Sequence, residues 1–274
     1  VTELRLEGVT YEYPAGVRAL DGVDLVIPAG GSLALIGANG SGKTTLARHL
    51  DGLLRPTHGR VLIDGEDAAT FSVARLAAKV GICFQQPDRQ IFQRVVRGEV
   101  EFGARRLGAS EEEAFARAKE ALEAVGLADD LGRHPDDLGE TRRKLLTIAS
   151  VLAMRTSVVV LDEPTTGLDA HGAGRIGGII RALHEEGRSV VGISHDIRFV
   201  AETFDRVVLL DRGRVVLDGT PAEVFAERAW PRLRASGLEP PHAAITGARL
   251  GLGSTPTEAD VVAALLDREA SAVR

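Results

Sequence analysis

The stretch "GANGSGKTT", Gly37 to Thr45, gathers residue types that bind phosphate. Gly37 and Gly42 stand five apart and are followed at once by Lys43 and Thr44, between an apolar strand and a helix. Glycines let successive backbone N–H groups converge on phosphate oxygens, and the helix N-terminus adds partial positive charge. In such a loop the lysine, Lys43, reaches the β and γ phosphates and the threonine, Thr44, offers a hydroxyl to Mg²⁺. Asn39, Gly40, Ser41 and Thr45 complete the cradle.

Three other strand ends carry matching chemistry. "SVVVLDEP" delivers Asp162, suited to holding Mg²⁺ directly or through water, and Glu163, suited to orienting or deprotonating the water that attacks a γ phosphate. "CFQQPDRQIF" offers Gln85 and Gln86, either of which has an amide oxygen able to complete metal coordination and sense the phosphate. "VVGISHD" ends in His195, whose imidazole can donate to the same group.

The surrounding elements must bring these ends together. Residues 2 to 36 read as short strands, "ELRLEGVTYEY", "VDLVIP" and "SLALIG", with a helix from about Lys43 to Leu54. "GRVLIDG" and "VGICFQ" continue the strands. The segment "SEEEAFARAKEALEAV", 110 to 125, has helical apolar spacing behind a serine and an acidic first turn. From residue 157, strands and helices alternate again, ending in the strand pair "RVVLL" and "RVVLDG". This order predicts a parallel α/β sheet core carrying a helical subdomain at about 86–153. Past about residue 222 the pattern breaks into helical pieces, which predicts a small separate unit over 223–274.

Composition narrows the class. With 33 Lys and Arg against 39 Asp and Glu, the net charge of −6 gives no electrostatic case for nucleic acid as a partner. Cys83, the only cysteine, allows no intrachain disulfide and sits in an apolar strand, where a buried thiol is expected. The opening residues resemble no signal peptide and no window approaches the ~20 apolar residues of a membrane span, so a cytosolic chain is expected.

Over residues 3 to 222, the order phosphate loop, Gln, "LGETR", Asp-Glu, "GLD", His resembles the ATP-binding cassette ATPases. That resemblance implies a P-loop NTPase, RecA-like sheet core with an antiparallel β subdomain and a helical signature subdomain. It implies ATP and Mg²⁺ as cofactors. It also implies two subunits, a homodimer or a pair of paralogues, clamping ATP between the phosphate loop of one and the signature sequence of the other. Residue by residue, it makes Tyr13 the adenine-stacking aromatic, Gln85 the metal and sensor glutamine, Asp169 the cross-dimer aspartate and His195 the switch histidine. Tyr11 is then the core residue of the two tyrosines.

Within the family, "FQQPDRQIF", "DGTPAEVF" and the tail are similar to the ATPases of energy-coupling-factor importers, including the CbiO type. The resemblance implies a subunit at the cytoplasmic face of the membrane. Its partners would be a transmembrane coupling protein, seated near Gln85 to Phe92, and a substrate-binding membrane protein. The C-terminal helices would form a dimerisation region, and the cargo would be cobalt, with nickel and a vitamin as alternatives. Two rival classes remain at this stage, a nucleotide-gated binding module that hydrolyses little and a soluble non-transport cassette ATPase.

"LGETR" departs from the family's usual Leu-Ser-Gly-Gly-Gln. Gly139, Glu140, Thr141 and Arg142 stand at the last four places, so the Ser hydroxyl is missing and Glu140 adds a carboxylate near a polyanion. Glu140 is expected to turn outward toward Arg142 or Arg143. The helix N-terminus survives, and it favours phosphate through its free N–H groups. The stretch reads as a divergent but usable contact.

Overall fold

In the computed structural model, which describes residues 2–272, ten strands and eleven α-helices succeed one another. The first part runs β1 (Leu4–Glu12), β2 (Arg18–Ile27), β3 (Ser32–Ile36), α1 (Lys43–Leu50), β4 (His58–Ile63), β5 (Glu66–Asp67), α2 (Val73–Lys79) and β6 (Val80–Cys83). Three helices follow, α3 (Val96–Arg106), α4 (Glu111–Val125) and α5 (Glu140–Ala153). The alternation then resumes with β7 (Val158–Asp162), α6 (Ala170–Glu185), β8 (Ser189–Ile193), α7 (Ile197–Thr203), β9 (Arg206–Asp211) and β10 (Arg214–Gly219). The chain closes with α8 (Pro221–Val224), α9 (Trp230–Ala235), α10 (His242–Arg249) and α11 (Glu258–Ala272).

Two sheets result. One is antiparallel, in the order β2-β1-β4-β5; the other has six strands in the order β10-β9-β3-β8-β7-β6. In the larger sheet β9, β3, β8, β7 and β6 are parallel and β10 is an antiparallel edge. Its central strands are buried on both faces, which is why they read as unbroken apolar runs rather than alternating ones. Leu33, Leu35, Val158 and Val160 point into the core shared with α1 and the antiparallel sheet. Ala34, Ile36, Val159 and Leu161 point into the core shared with the helices. The sequence expectation of an α/β core with an antiparallel subdomain and a helical insertion therefore matches the fold.

Local signals place the helix ends. Ser110 and Glu113 form a reciprocal capping box at the start of α4, and Gly126, at φ +75°, ends it. Helix α1 stops at Leu50, four residues before the expected end, because Gly52 takes up left-handed backbone at φ +75° and turns the chain. The first ten residues of the expected helical segment, 86–95, form a short 3₁₀ turn and extended chain ahead of α3.

The tail departs from expectation. Val224, Phe225, Leu233 and Ala244 are buried in the same core as β9 and α5, so the chain past residue 222 is not a separate unit. Phe225, fully covered, is among the largest side chains of that core, and burying such a ring is worth about 1.5–3 kcal/mol. Helix α11 keeps Val262 and Leu266 in solvent.

Candidate nucleotide site

The loop from Gly37 to Gly42 joins the end of β3 to the start of α1, at the edge of the large sheet where β7 and β8 also end. Two glycines are required by crowding. A Cβ on Gly37 would lie 2.3 Å from the Leu210 carbonyl oxygen, and one on Gly42 would lie 2.5 Å from that of Ala19, both at positive φ. A cavity of about 280 Å³ opens here, lined by Tyr13, the loop residues Asn39, Gly40 and Gly42, Lys43, Thr44, Thr45, Gln85, Asp162 and Glu163. Ser41 lies buried behind the loop, not in the cavity lining.

Lys43 is buried, and its Nζ donates to the carbonyls of Gly37 at 2.7 Å and Ala38 at 2.9 Å. Desolvation holds its pKa below the usual lysine value, opposed by the charges of Glu163 and Asp162. Thr44 Oγ1 donates to Asp162 Oδ2 at 3.2 Å, while Asp162 Oδ1 is buried without a hydrogen-bond partner. Burial pushes the Asp162 carboxyl above the ordinary range and Glu163 pushes the same way, against the Thr44 hydrogen bond. A buried carboxylate oxygen without a donor fits a cation, and the Thr44 hydroxyl beside it fits the same ion.

Glu163 follows β7 in left-handed backbone, φ +52°, which is uncommon for a residue with a side chain. Its N–H donates to the Ile193 carbonyl at 2.9 Å, so β8 fixes this turn. Its carboxylate is nearly buried and accepts from His195 Nδ1 at 2.8 Å and Thr166 Oγ1 at 3.3 Å. His195 does not line the cavity; it reaches the cluster through Glu163.

Tyr13 sits at the cavity mouth. Its hydroxyl shares a 3.1 Å hydrogen bond with Thr45 Oγ1, and its ring meets the Tyr11 ring edge-on at 4.9 Å. Tyr11 in turn stands edge-on to the buried His49, which bonds the Thr45 carbonyl at 2.7 Å. Tyr11 packs against the core, as the sequence reading had it.

Gly139, Glu140, Thr141 and Asp169 lie outside this cavity. Gly139 is the N-cap of α5 and offers no side-chain cap, so the first N–H groups of that helix are left open. The expected pairing of Glu140 with Arg142 or Arg143 does not occur. Arg142 bonds the buried Asp130, Arg143 pairs with Asp88 at 3.1 Å, and Glu140 is exposed. Asp130 offers a desolvated carboxylate that a neighbour on the same helix cannot match. Asp169 caps α6, its Oδ1 accepting from Gly172 N–H at 2.7 Å.

Several supporting residues escaped the sequence reading. Gln90 Oε1 accepts from Phe84 N–H at 3.0 Å and its Nε2 donates to the Thr147 carbonyl at 3.3 Å, bracing the chain on either side of Gln85. Glu99, buried, accepts from the Phe92 and Gln93 amides. Only the polar, loop-bound character of "QIFQ" hinted at such braces. Phe92 itself is 60% exposed and Ile91 only partly buried. Cys83 is buried as expected, and desolvation raises its thiol to about 11.

The ABC transporter family model matches residues 20–166. A putative ABC transporter ATP-binding protein of Methanosarcina acetivorans is 43% identical over 86% of this chain, which spans 38% of that protein. The energy-coupling factor transporter ATP-binding protein EcfA of Methanothermobacter thermautotrophicus is 41% identical over 82% of this chain and 73% of its own length. The cobalt import ATP-binding protein CbiO of Rhodobacter capsulatus is 40% identical over 87% and 85%. Among solved structures, cbiO1 of Clostridium perfringens, part of the transporter complex cbiONQ, superposes with a TM-score of 0.74 at 35% identity, covering 85% of this chain and 94% of that one. The ATP-binding cassette MJ0796, a dimer bound to ADP and Pi, gives 0.73 at 28% identity, covering 79% and 98%. With the phosphate loop, the paired acids and the two-sheet fold in place, the chain belongs to the ATP-binding ATPases of ABC transporters, in the branch of the EcfA and CbiO proteins.

Proposed function

We propose that this chain hydrolyses ATP to drive import by an energy-coupling-factor transporter whose cargo is cobalt. The observation that carries the hydrolytic reading is the convergence of Lys43, Thr44, Asp162 and Glu163 on one cavity, with a donorless oxygen on Asp162. The cargo rests on the CbiO relative's name alone.

Lys43 exchanges its loop carbonyls for β and γ phosphate oxygens, and the loop amides and the α1 N-terminus share the remaining negative charge. Tyr13 stacks on the adenine. Thr44, Asp162 and Gln85 hold Mg²⁺, which when bound neutralises charge on the phosphates. Glu163 orients the attacking water and takes its proton, a task for which its partly buried position beside His195 suits it. His195 donates to the γ phosphate. No side-chain nucleophile is required, so catalysis is positioning and electrostatics.

The N–H groups at Gly139, Glu140 and Thr141, together with Asp169, face the nucleotide of a second ATPase subunit, a copy of this chain or a paralogue. The dimeric cassette bound to ADP and Pi supports that arrangement. Among the described residues no helix is long and apolar enough to cross a membrane. In this reading transport runs through a transmembrane coupling protein, docked by the exposed Phe92 and Val95, and a substrate-binding membrane protein, with this chain peripheral on the cytoplasmic face, as the CbiO and EcfA relatives suggest. The test is ATP-dependent uptake of radiolabelled cobalt by vesicles holding the assembled transporter. Uptake that survives Glu163→Gln refutes the energising role, and uptake of nickel or a vitamin in preference to cobalt reassigns the cargo.

A further inference from the structure

Two donors one turn apart on α5 reach one short stretch of chain. Thr141 Oγ1 donates to the Gly167 carbonyl at 3.1 Å, and Lys144 Nζ donates to the Thr166 carbonyl at 3.2 Å. A spacing of three puts both on one helix face. The two carbonyls belong to the turn between Glu163 and Asp169, and Thr166 Oγ1 returns from that turn to the Glu163 carboxylate.

Lys144 is the unusual member. It is 5% exposed, and the Thr166 carbonyl is the one hydrogen-bond partner of its ammonium among the described residues. Desolvation holds its pKa below the usual lysine value, with Cys83, Glu163, Asp162 and Glu140 acting the other way. Burying an ammonium with no carboxylate in contact is unfavourable, and a leucine or methionine would fill the same space without that penalty. Both features point at the turn, since nothing else takes the charge's hydrogen bonds.

We infer that Thr141 and Lys144 form a two-point clasp through which α5 sets the 163–169 turn, making Lys144 a positioning residue for the Glu163 carboxylate; the inference rests on the hydrolytic reading proposed for Glu163. Farther along, the same helix is tied by Thr147 to Gln90, the brace of the Gln85 loop. A shift of α5, whose N-terminus meets the second subunit in the proposed dimer, thus reaches the water-orienting carboxylate and the metal-side glutamine through defined hydrogen bonds.

Steady-state hydrolysis and nucleotide binding by the full chain test the clasp, comparing the parent with Lys144→Met, Lys144→Arg, Thr141→Val and Glu163→Gln. Loss of the charged donor in Lys144→Met is expected to lower kcat roughly ten- to a hundredfold. Thr141→Val, at an exposed position where folding is not in question, is expected to lower it about two- to tenfold. The Kd for a fluorescent ATP analogue should stay within about twofold, because the loss falls on turnover rather than on binding. Lys144→Arg, which keeps a charged donor, should recover most of the rate. Two results overturn the clasp: kcat in both Lys144→Met and Thr141→Val within about twofold of the parent, or a fall in melting temperature, kcat and affinity together that arginine does not rescue. A parent that hydrolyses no ATP, whether alone or paired with a second ATPase subunit, overturns the proposed function itself and the clasp with it.

Discussion

His195 Nδ1 donates to the Glu163 carboxylate across 2.8 Å, joining the ends of β8 and β7 beside the phosphate loop. A carboxylate only accepts, so Nδ1 carries a proton in this contact and Nε2 is the nitrogen turned away from Glu163. The histidine ring is two-thirds exposed while the acid is nearly covered. One residue is thus held and the other does the holding.

Glu163→Gln should reduce ATP turnover by at least about a hundredfold, the scale of a general base, while leaving nucleotide affinity nearly unchanged. With ATP and Mg²⁺ the variant should run as a dimer in size-exclusion chromatography. A monomer with undiminished hydrolysis would remove Glu163 from its role.

Tyr13→Ala should weaken ATP binding several-fold, since an aromatic contact is worth about 0.5–1.5 kcal/mol. Tyr13→Phe separates two contributions, because it keeps the ring and loses only the hydrogen bond to Thr45. Calorimetry should place Tyr13→Phe near the parent. If Tyr11→Leu proves as harmful as Tyr13→Ala, stacking belongs to the pair rather than to one ring.

Asp51 ends α1, where the helix dipole is negative, and burial raises its carboxyl from 3.8 to about 6 despite the Leu53 N–H that it accepts. A raised pKa of this kind favours folding below pH ~3.8, and the benefit is lost as pH climbs through about 6. Asp51→Asn should therefore stabilise the chain at pH 8, by about 1–3 kcal/mol, and change little near pH 4. Urea unfolding at the two pH values checks it, and an equal gain at both would point to another cause.

Gly139→Ser has room, since a Cβ there meets nothing within 4 Å and the backbone is ordinary. Combined with Glu140→Gly, it should raise the hydrolysis rate of the purified chain by up to roughly tenfold, the worth of one hydrogen bond to phosphate. Zero activity rescued by this change would mean that "LGETR" is a dead contact. Activity that stays flat or falls would mark a signature adapted to its own residues.

Deleting residues 258–274 should spare folding and the nucleotide site, whereas deletion from 223 should not, because Phe225 and Leu233 belong to the main core. If α11 is a dimerisation helix, the shorter deletion should leave a monomer by light scattering without ATP. The same oligomer before and after would assign Val262 and Leu266 to some other contact.

Whatever depends on neighbours in sequence was legible in the sequence. The strand, glycine loop and helix around Lys43, the acids at the end of β7 and the capping box of α4 all follow from short-range spacing, and the structure has them where the pattern puts them. Nearness in sequence points Glu140 toward Arg142 or Arg143, yet Arg142 is held by Asp130, twelve residues away, and Arg143 by Asp88. The tail was read as separate because its short helices break the periodicity, though Phe225 binds it to the sheet core. Nothing in the helix pattern behind "LGETR" marks Lys144 as covered, and only tertiary packing shows it buried. In each case the missing information was which distant surface the side chain would meet.

The central strands, covered on both faces, also determine how binding is felt. β3 and β7 end in the phosphate loop and in Asp162, so the groups that would grip a nucleotide hang from segments that cannot open without exposing both cores. Amides there should exchange with solvent only through global unfolding, whereas those of exposed loops exchange by local fluctuation. Ligand free energy at this sheet edge accordingly adds to the unfolding equilibrium of the entire molecule, about 2.7 kcal/mol when a nucleotide is present at a hundred times its Kd. Occupancy would then be readable as a melting shift of the whole chain, with no hinge required to report it.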